Sequence, residues 1–306
     1  MPIANLFTLR LTFLSLTVLS LVAPAAPLRA DEIAVGDVTL DYEETGSGTP
    51  VVFVHGAISD RRVWGPYRDT IAPERRFVAY DQRYFGTRDW PDDGGDFSAD
   101  THAADLIAVV EALDAGPAGL VAWSYGGDVA ARAAVARPEL FSALVLYEPD
   151  IYGLIEGVPG SSAATESFYD GFDAAFSALE EGRLEDASLR FIEAVFDLSD
   201  GAADSEPDQW RAVWRQNGRT IPLYLDAPAG DVATCADLAT VRVPTLIVKG
   251  AASTVYDVMM AERTAGCAGN AVVASLPDAN HDGPYRQPQR FAAMIDSFLD
   301  LAAIDR

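Results

Sequence analysis

The chain has 306 residues, of which 49% are hydrophobic, and its formal net charge is −24 at pH 7. This length and apolar content allow a sizeable core, in one large domain or in one domain with an insertion. So acidic a surface repels phosphate backbones and anionic lipid headgroups, which argues against a nucleic-acid partner or binding to a membrane surface.

The first thirty residues differ in composition from the rest. They contain two arginines and no acid, and their apolar stretch LTFLSLTVLSLVAPAAPL ends in small residues and prolines. This pattern predicts a secretory signal peptide over residues 1–30, with cleavage after Ala30 and a secreted or periplasmic mature protein. An uncleaved membrane anchor is the alternative, which the short apolar core and the prolines disfavour. After cleavage we expect no contact with a membrane.

Short apolar runs bounded by turn residues predict the strands of a sheet. The runs are apolar nearly throughout, which is typical of strands covered on both faces. Before them, EIAVGD and VTLDYEETGSG predict a more exposed antiparallel start. Helical stripes, such as Leu106–Leu113 and Phe291–Leu299, alternate with the strands and therefore predict a mostly parallel α/β sheet. The apolar runs are residues 51–56, 77–81, 119–124, 143–149, 244–250 and 271–277.

Residues 150–240 interrupt this alternation. They show helix-like stretches and no strong strand pattern, which predicts a helical cap inserted after the sixth strand, over the carboxyl edge of the sheet. The predicted domains are therefore a signal peptide (1–30), a core (31–149 and 241–306) and the cap. Aromatic residues of this segment either line a substrate pocket or pack a small helical core; they include Phe168, Phe172, Phe176, Trp210 and Trp214.

The segment AWSYGGD places Ser124 between a predicted strand and a predicted helix. A sharp turn there would expose its Oγ, and the small residues around it would let the backbone and the helix approach closely. The first N–H groups of the helix, including that of Tyr125, would point toward a developing oxyanion. Ser124 is therefore a candidate nucleophile, although an ordinary turn serine is the alternative. A serine nucleophile needs a base and an orienting carboxylate.

Three histidines can supply the base. His55 ends a predicted strand, and His102 starts an amphipathic helix, where we expect it to lie near water. His281 lies in LPDANHDGPYRQP, after the last predicted strand, where a βα loop would place it beside Ser124. His281 is therefore the predicted base. In the segment HGAIS, the N–H of Ala57 is a candidate second oxyanion donor.

In order and spacing, VVFVHGA, AYDQRYFG, VAWSYGG, PTLIVKG and ANHDGP resemble the motifs of the α/β-hydrolase family. The resemblance spans residues 35–303 and implies an eight-stranded sheet and a Ser–acid–His triad that uses no cofactor and no metal. It assigns Ser124 and His281 to the triad, and Ala57 and Tyr125 to the oxyanion site. Two positions that are usually glycine in the family are Ala122 and Tyr84 here; we expect Tyr84 to shape the mouth of the pocket.

The third member of the triad is the least determined. Most members of the family place an Asp a few residues beyond the strand PTLIVKG, but here no carboxylate occurs before Asp257. Other members take the acid from the end of the preceding strand, where this chain has Glu148. A carboxylate at the end of an apolar strand needs a partner, and His281 would provide one. Glu148 is therefore the favoured acid, Asp257 is the alternative, and Asp150 is a weaker candidate.

The predicted function is an exported serine hydrolase that cleaves a small ester, thioester or lactone through an acyl-enzyme. A serine at position 124 disfavours the alkyl-ester intermediate of dehalogenases and epoxide hydrolases. A cofactor-free perhydrolase, a C–C hydrolase or an acyltransferase could use the same triad, and a non-catalytic binding protein could keep the same fold. In an exported protein, Cys235 and Cys267 could form one disulfide, or they could remain buried thiols.

Overall fold

The computed structural model describes residues 31–226 and 233–304, so the predicted signal peptide lies outside the described residues. Its centre is an eight-stranded sheet with the strand order β1-β2-β4-β3-β5-β6-β7-β8. The pairs β1–β2 and β2–β4 are antiparallel, and all the other pairs are parallel. The strands are β1 (Asp31–Val35), β2 (Val38–Thr45), β3 (Pro50–Val54), β4 (Arg76–Tyr80), β5 (Ala118–Trp123), β6 (Phe141–Tyr147), β7 (Thr245–Gly250) and β8 (Ala271–Leu276).

Helices follow most of the parallel strands, as connections between parallel neighbours require. None of the helices in the two described ranges is both long and apolar enough to cross a lipid bilayer. The α-helices are α1 (Arg68–Ile71), α2 (Ala99–Ala112), α3 (Tyr125–Ala136), α4 (Ser161–Asp170), α5 (Asp173–Glu180), α6 (Leu184–Val195), α7 (Asp208–Asn217), α8 (Ile221–Asp226), α9 (Cys235–Leu238), α10 (Val255–Cys267), α11 (Gly283–Arg286) and α12 (Pro288–Ile304).

The predicted mostly parallel sheet is confirmed, and so is the antiparallel start. All residues of β5 and β6 are buried, because helices cover both faces of the central strands. The parallel strands bring their carboxyl ends to one edge of the sheet, where the turns after β3, β5, β6 and β7 and the loop after β8 meet. The candidate catalytic residues identified from the sequence therefore lie at this edge of the sheet.

The prediction that every apolar run is covered on both faces is wrong for β8. This strand pairs only with β7 and lies at the edge of the sheet, and most of its residues are partly or fully exposed. Val272 and Val273 keep 55% and 45% of their accessible surface. An apolar run therefore does not distinguish an edge strand from a central one.

In the described part of the chain between β6 and β7 lie the six α-helices α4–α9. No strand lies within the part of this segment that the structure describes. Some of its aromatic residues line a cavity and others pack in the core, so both of the predicted roles occur. Phe168, Phe172 and Phe176 line a cavity, whereas Trp214 is fully buried and Trp210 packs against Tyr285 at a ring distance of 5.1 Å.

Cys235 and Cys267 form a disulfide in the structure, with their Cα atoms 4.8 Å apart. The bond joins the first residue of α9 to the last residue of α10. It therefore connects the end of the inserted helices to the helix that follows β7.

Loss of this disulfide should lower the free energy of unfolding by about 3–4 kcal/mol. The two cysteines lie 32 positions apart, and chain entropy assigns about that value to a loop of this size. The measurement is urea unfolding of a double variant, Cys235→Ser with Cys267→Ser, compared with reduced and oxidised wild-type protein. The double variant should match the reduced protein, and a loss below about 1 kcal/mol would contradict the entropic estimate.

Candidate active site

Ser124 occupies a strained turn between β5 and α3, with φ 54° and ψ −127°. Such a conformation is costly for a residue with a side chain, and it is found where function requires it. The turn is held by a hydrogen bond from Ser124 N to Tyr147 O (3.1 Å) and by another from Gly127 N to Ser124 O (2.7 Å). A Cβ at Gly126 would collide with the carbonyl oxygen of His55, and one at Gly127 would collide with Pro149. These glycines allow the close approach that the sequence predicted.

His281 lies in the loop between β8 and α11 and is buried. Its backbone carbonyl accepts a hydrogen bond from Trp123 Nε1 (3.1 Å), which ties the loop to the last residue of β5. Its Nδ1 lies 2.8 Å from Glu148 Oε2. With Nδ1 donating to this carboxylate, Nε2 is left as the basic nitrogen, which is the arrangement that a general base needs.

Glu148 follows β6 directly and is buried, with φ 40°. Its Oε1 accepts hydrogen bonds from Gly250 N (2.6 Å) and from Ser253 Oγ. Its Oε2 is therefore left for His281 Nδ1. Three donors satisfy the carboxylate, and this compensates for its burial.

Asp257 also reaches the imidazole, since its Oδ1 lies 3.4 Å from His281 Nδ1. It lies in the first turn of α10, where Thr254 Oγ1 donates a hydrogen bond to its Oδ2 (2.6 Å). Both candidate acids therefore lie beside the same imidazole nitrogen. By distance, Glu148 is the hydrogen-bonded partner and Asp257 is a second carboxylate beside the same nitrogen.

The two carboxylates change the acid–base chemistry of the imidazole. Burial works to lower the pKa of His281, but the charges of Asp257 and Glu148 outweigh it and raise that pKa to about 9. Burial raises the pKa of Asp257 to about 7. The charge of Glu148 adds to this increase, whereas the charge of His281 opposes it. A base with a raised pKa is stronger, although it is protonated over more of the neutral pH range.

The same three residues could hold a metal ion, because their ligand atoms lie within 4.8 Å of one another. However, the contact between His281 Nδ1 and Glu148 Oε2 (2.8 Å) uses two of the atoms that would bind the ion. The remaining oxygen of Glu148 already accepts two hydrogen bonds. This donor set therefore fits a histidine–carboxylate pair better than a metal centre.

The backbone N–H groups of Ala57 and Tyr125 flank the nucleophile turn. Ala57 lies in the turn after β3, and Tyr125 is the first residue of α3. Neither N–H donates to a partner within the described ranges of the chain. Gly56 lies against this turn, and a Cβ there would come within 3.1 Å of Ser124 Cβ. Two unused donors next to Ser124 suit the stabilisation of an oxyanion.

Ser124, Ala57 and His281 line one cavity, together with Asp150, Asp257 and residues of the inserted helices. No hydrogen bond joins the Ser124 and His281 side chains in the described structure. The cavity volume is about 40 Å³, which is room for roughly three water molecules. The cavity is therefore narrow, and aromatic side chains form much of its wall.

The other two histidines have structural surroundings. Gln82 N donates to His55 Nε2 (3.1 Å), and burial lowers the pKa of His55 to about 4. The expectation that His102 lies near water is wrong: it is fully buried, its Nδ1 lies 2.6 Å from Tyr125 Oη, and burial lowers its pKa to about 3. Both therefore remain neutral at physiological pH.

Some features of the site were not predicted. The hydrogen bonds from Gly250 and Ser253 to Glu148 were missed, although the small residues after β7 were a signal that the backbone could approach closely there. Asp150 accepts hydrogen bonds from two tyrosines in the cavity wall, and within the described residues it forms no hydrogen bond or ion pair with His281. Tyr84, which we expect at the pocket mouth from the sequence, packs against Trp90 and lies outside this cavity.

A strained serine, a histidine–carboxylate pair and an eight-stranded sheet together define an α/β-hydrolase architecture. The sequence profile of the alpha/beta hydrolase family matches residues 51–294. The chain therefore belongs to the alpha/beta hydrolase family, and its enzyme class is that of the hydrolases.

Several relatives match over most of their length. BpoC of Mycobacterium tuberculosis, provisionally named a non-heme bromoperoxidase, is 25% identical over 274 residues, which are 87% of this chain and 100% of the relative. The 2-(acetamidomethylene)succinate hydrolase of Mesorhizobium japonicum is 26% identical over 279 residues, 88% of this chain and 94% of the relative. A thermophilic esterase from Thermogutta terrifontis superposes with a TM-score of 0.65 at 21% identity, covering 90% and 99% of the two chains.

Proposed function

We propose that the chain is an exported serine hydrolase that cleaves a small ester, thioester or lactone. The observation that supports this most directly is the strained Ser124, which shares its cavity with His281, while His281 Nδ1 lies 2.8 Å from Glu148. The carboxylic ester specificity rests on this arrangement alone, since the relatives carry several different names.

In the proposed reaction, Ser124 Oγ attacks the substrate carbonyl carbon while His281 Nε2 accepts the serine proton. The N–H groups of Ala57 and Tyr125 stabilise the oxyanion, and Glu148 keeps the imidazole in the required tautomer. His281 then donates the proton to the leaving alcohol, and an acyl-Ser124 ester remains. Water, deprotonated by His281, attacks this ester, and the carboxylic acid and the free serine are released.

A fluorophosphonate should form a covalent adduct on Ser124, because the phosphonyl group is attacked as an ester carbonyl is. The adduct is located by peptide mass spectrometry of the labelled protein. Labelling should be lost in His281→Ala and should persist in Ser142→Ala, which changes a buried serine of β6 outside the cavity. Absence of label on the folded wild-type chain would favour a non-catalytic binding protein.

The second candidate is a related reaction at the same triad. The relatives include one named as a non-heme bromoperoxidase and one named as a 2-(acetamidomethylene)succinate hydrolase, and the second candidate is therefore a perhydrolase, C–C hydrolase or acyltransferase reaction. A panel of esters, a β-diketone and an ester with hydrogen peroxide, with product identification, distinguishes these reactions from simple hydrolysis and from acyl transfer to an alcohol.

We further propose that residues 1–30 are removed on export and that residues 150–240 form a cap over the site. The disulfide supports an oxidising compartment. The cavity supports the cap, because residues of α4, α5, α6 and α8 line it together with Ser124.

A further inference from the structure

The wall of the active-site cavity combines aromatic rings with acidic groups. None of the described residues that line it is a lysine or an arginine, and besides His281 its only ionisable side chains apart from tyrosines are Asp150 and Asp257. The aromatic members of the wall are Trp123, Phe168, Tyr169, Phe172, Phe176, Phe191, Phe196, Tyr224 and Tyr256. A substrate carboxylate would find no cation there, so this wall disfavours anionic substrates.

Asp150 is fixed next to the nucleophile. Its backbone N–H donates to Ser124 O (3.1 Å), so the two residues are joined through the main chain. Its Oδ1 accepts a hydrogen bond from Tyr256 (2.8 Å), and its Oδ2 accepts one from Tyr224 (3.1 Å). A carboxylate offers about four acceptor positions, so two remain after these bonds. The side chain is therefore oriented but not saturated.

The rings around this carboxylate form an aromatic cluster. Tyr256 stacks on Phe168 at 4.3 Å between ring centroids, and Phe168 contacts Tyr169 at 5.6 Å. Burial, and then the charge of Asp150, raise the pKa of Tyr169 to about 12, so this phenol stays neutral at physiological pH. Neutral aromatic faces beside a carboxylate are the surroundings that an organic ammonium group favours.

We infer that the substrate carries a cationic ammonium group, which binds between Asp150 and the aromatic cluster while its ester carbonyl reaches Ser124. This inference rests on the proposed hydrolase function. The net charge of −24 on the whole chain would also raise the local concentration of cationic substrates.

The test compares two esters of equal shape and different charge. They are acetylcholine, which carries the ammonium group, and its uncharged isostere, 3,3-dimethylbutyl acetate. For the wild-type protein, kcat/KM should be at least about tenfold higher for the cationic ester, with most of the difference in KM. In Asp150→Asn this ratio should fall to near one, because the amide keeps the shape and loses the charge. The ratio does not depend on the fraction of folded protein.

The matched control is Asp208→Asn, which removes a carboxylate that is 94% exposed. It should leave the ratio unchanged, which separates the local effect from the effect of net charge. A wild-type ratio of one or less, or an equal ratio in Asp150→Asn and wild type, would overturn the inference.

Binding of tetramethylammonium, measured by calorimetry on Ser124→Ala, separates the two proposals. In one outcome, neither ester is hydrolysed and Ser124 takes no label, but tetramethylammonium binds and Asp150→Asn weakens its binding at least tenfold. The hydrolase proposal then fails and the cation site stands. If both esters are hydrolysed without preference and the cation does not bind, only the cation site fails. If there is neither turnover nor binding, both proposals fail.

Discussion

Ser124→Ala should lower kcat for the hydrolysis of p-nitrophenyl acetate by a factor on the order of 10⁵–10⁶. Without the hydroxyl no acyl-enzyme can form, and only water attack assisted by the remaining groups is left. The methyl group of alanine fits where the serine Cβ lies, and the backbone at this position keeps its strained φ of 54°. The variant should therefore fold normally and still bind the ester.

Stopped-flow and steady-state assays of the purified variant measure this effect, with thermal unfolding as the check on folding. Ser142→Ala is the control, because this serine is buried in β6 and does not line the cavity. It should retain kcat within about threefold. Residual activity above about 1% in Ser124→Ala, at an unchanged pH profile, would show that the reaction does not pass through this serine.

The two acids should contribute very unequally to catalysis. Glu148→Gln should lower kcat by about 10³, since it removes the carboxylate that lies 2.8 Å from His281 Nδ1. Asp257→Asn should lower it by less than about tenfold, because its oxygen is 3.4 Å away and hydrogen-bonded to Thr254. The double variant should lose no more than about 10⁴, because both residues act through one imidazole.

The pH profile separates the electrostatic role of Asp257 from a merely structural one. His281 must be neutral to accept a proton, so kcat/KM should rise with pH and level off above the pKa of about 9. Asp257→Asn removes a negative neighbour, which lowers that pKa and moves the midpoint of the profile to lower pH. If Asp257→Asn alone costs about 10³ in kcat while Glu148→Gln costs little, Asp257 is the triad acid.

Much of the fold follows from local sequence patterns. Central strands such as β5 and β6 are buried on both faces, so they read as continuous apolar runs, and helices between them require parallel pairing. The edge position of β8 could not be predicted, because exposed residues such as Val272 and Val273 give this strand the same apolar sequence pattern as a central strand. Strand position depends on contacts between distant segments, which a local pattern does not contain.

The site was predictable where one short motif determines the geometry. The turn at Ser124 needs small residues on its own segment, and these are visible in the sequence. The convergence of Glu148 and Asp257 on His281 was not visible, because three separate segments meet there and each carboxylate alone was a sufficient candidate. Burial of His102 was missed for a similar reason, since its partner Tyr125 lies in another helix.

The backbone at Ser124 and Glu148 has a consequence for the evolution of the chain. Both residues have positive φ, 54° and 40°, a conformation that glycine adopts at lower cost. Each position therefore carries a conformational penalty on the order of 1 kcal/mol that is accepted for the sake of the side chain. The Ser124 side chain makes no hydrogen bond in the described structure, so a lineage that no longer needed the reaction would gain stability by drifting to glycine at this codon. At Glu148 the loss of three buried hydrogen bonds would offset the same gain, so a glycine at position 124 is the change that would mark descendants without catalysis.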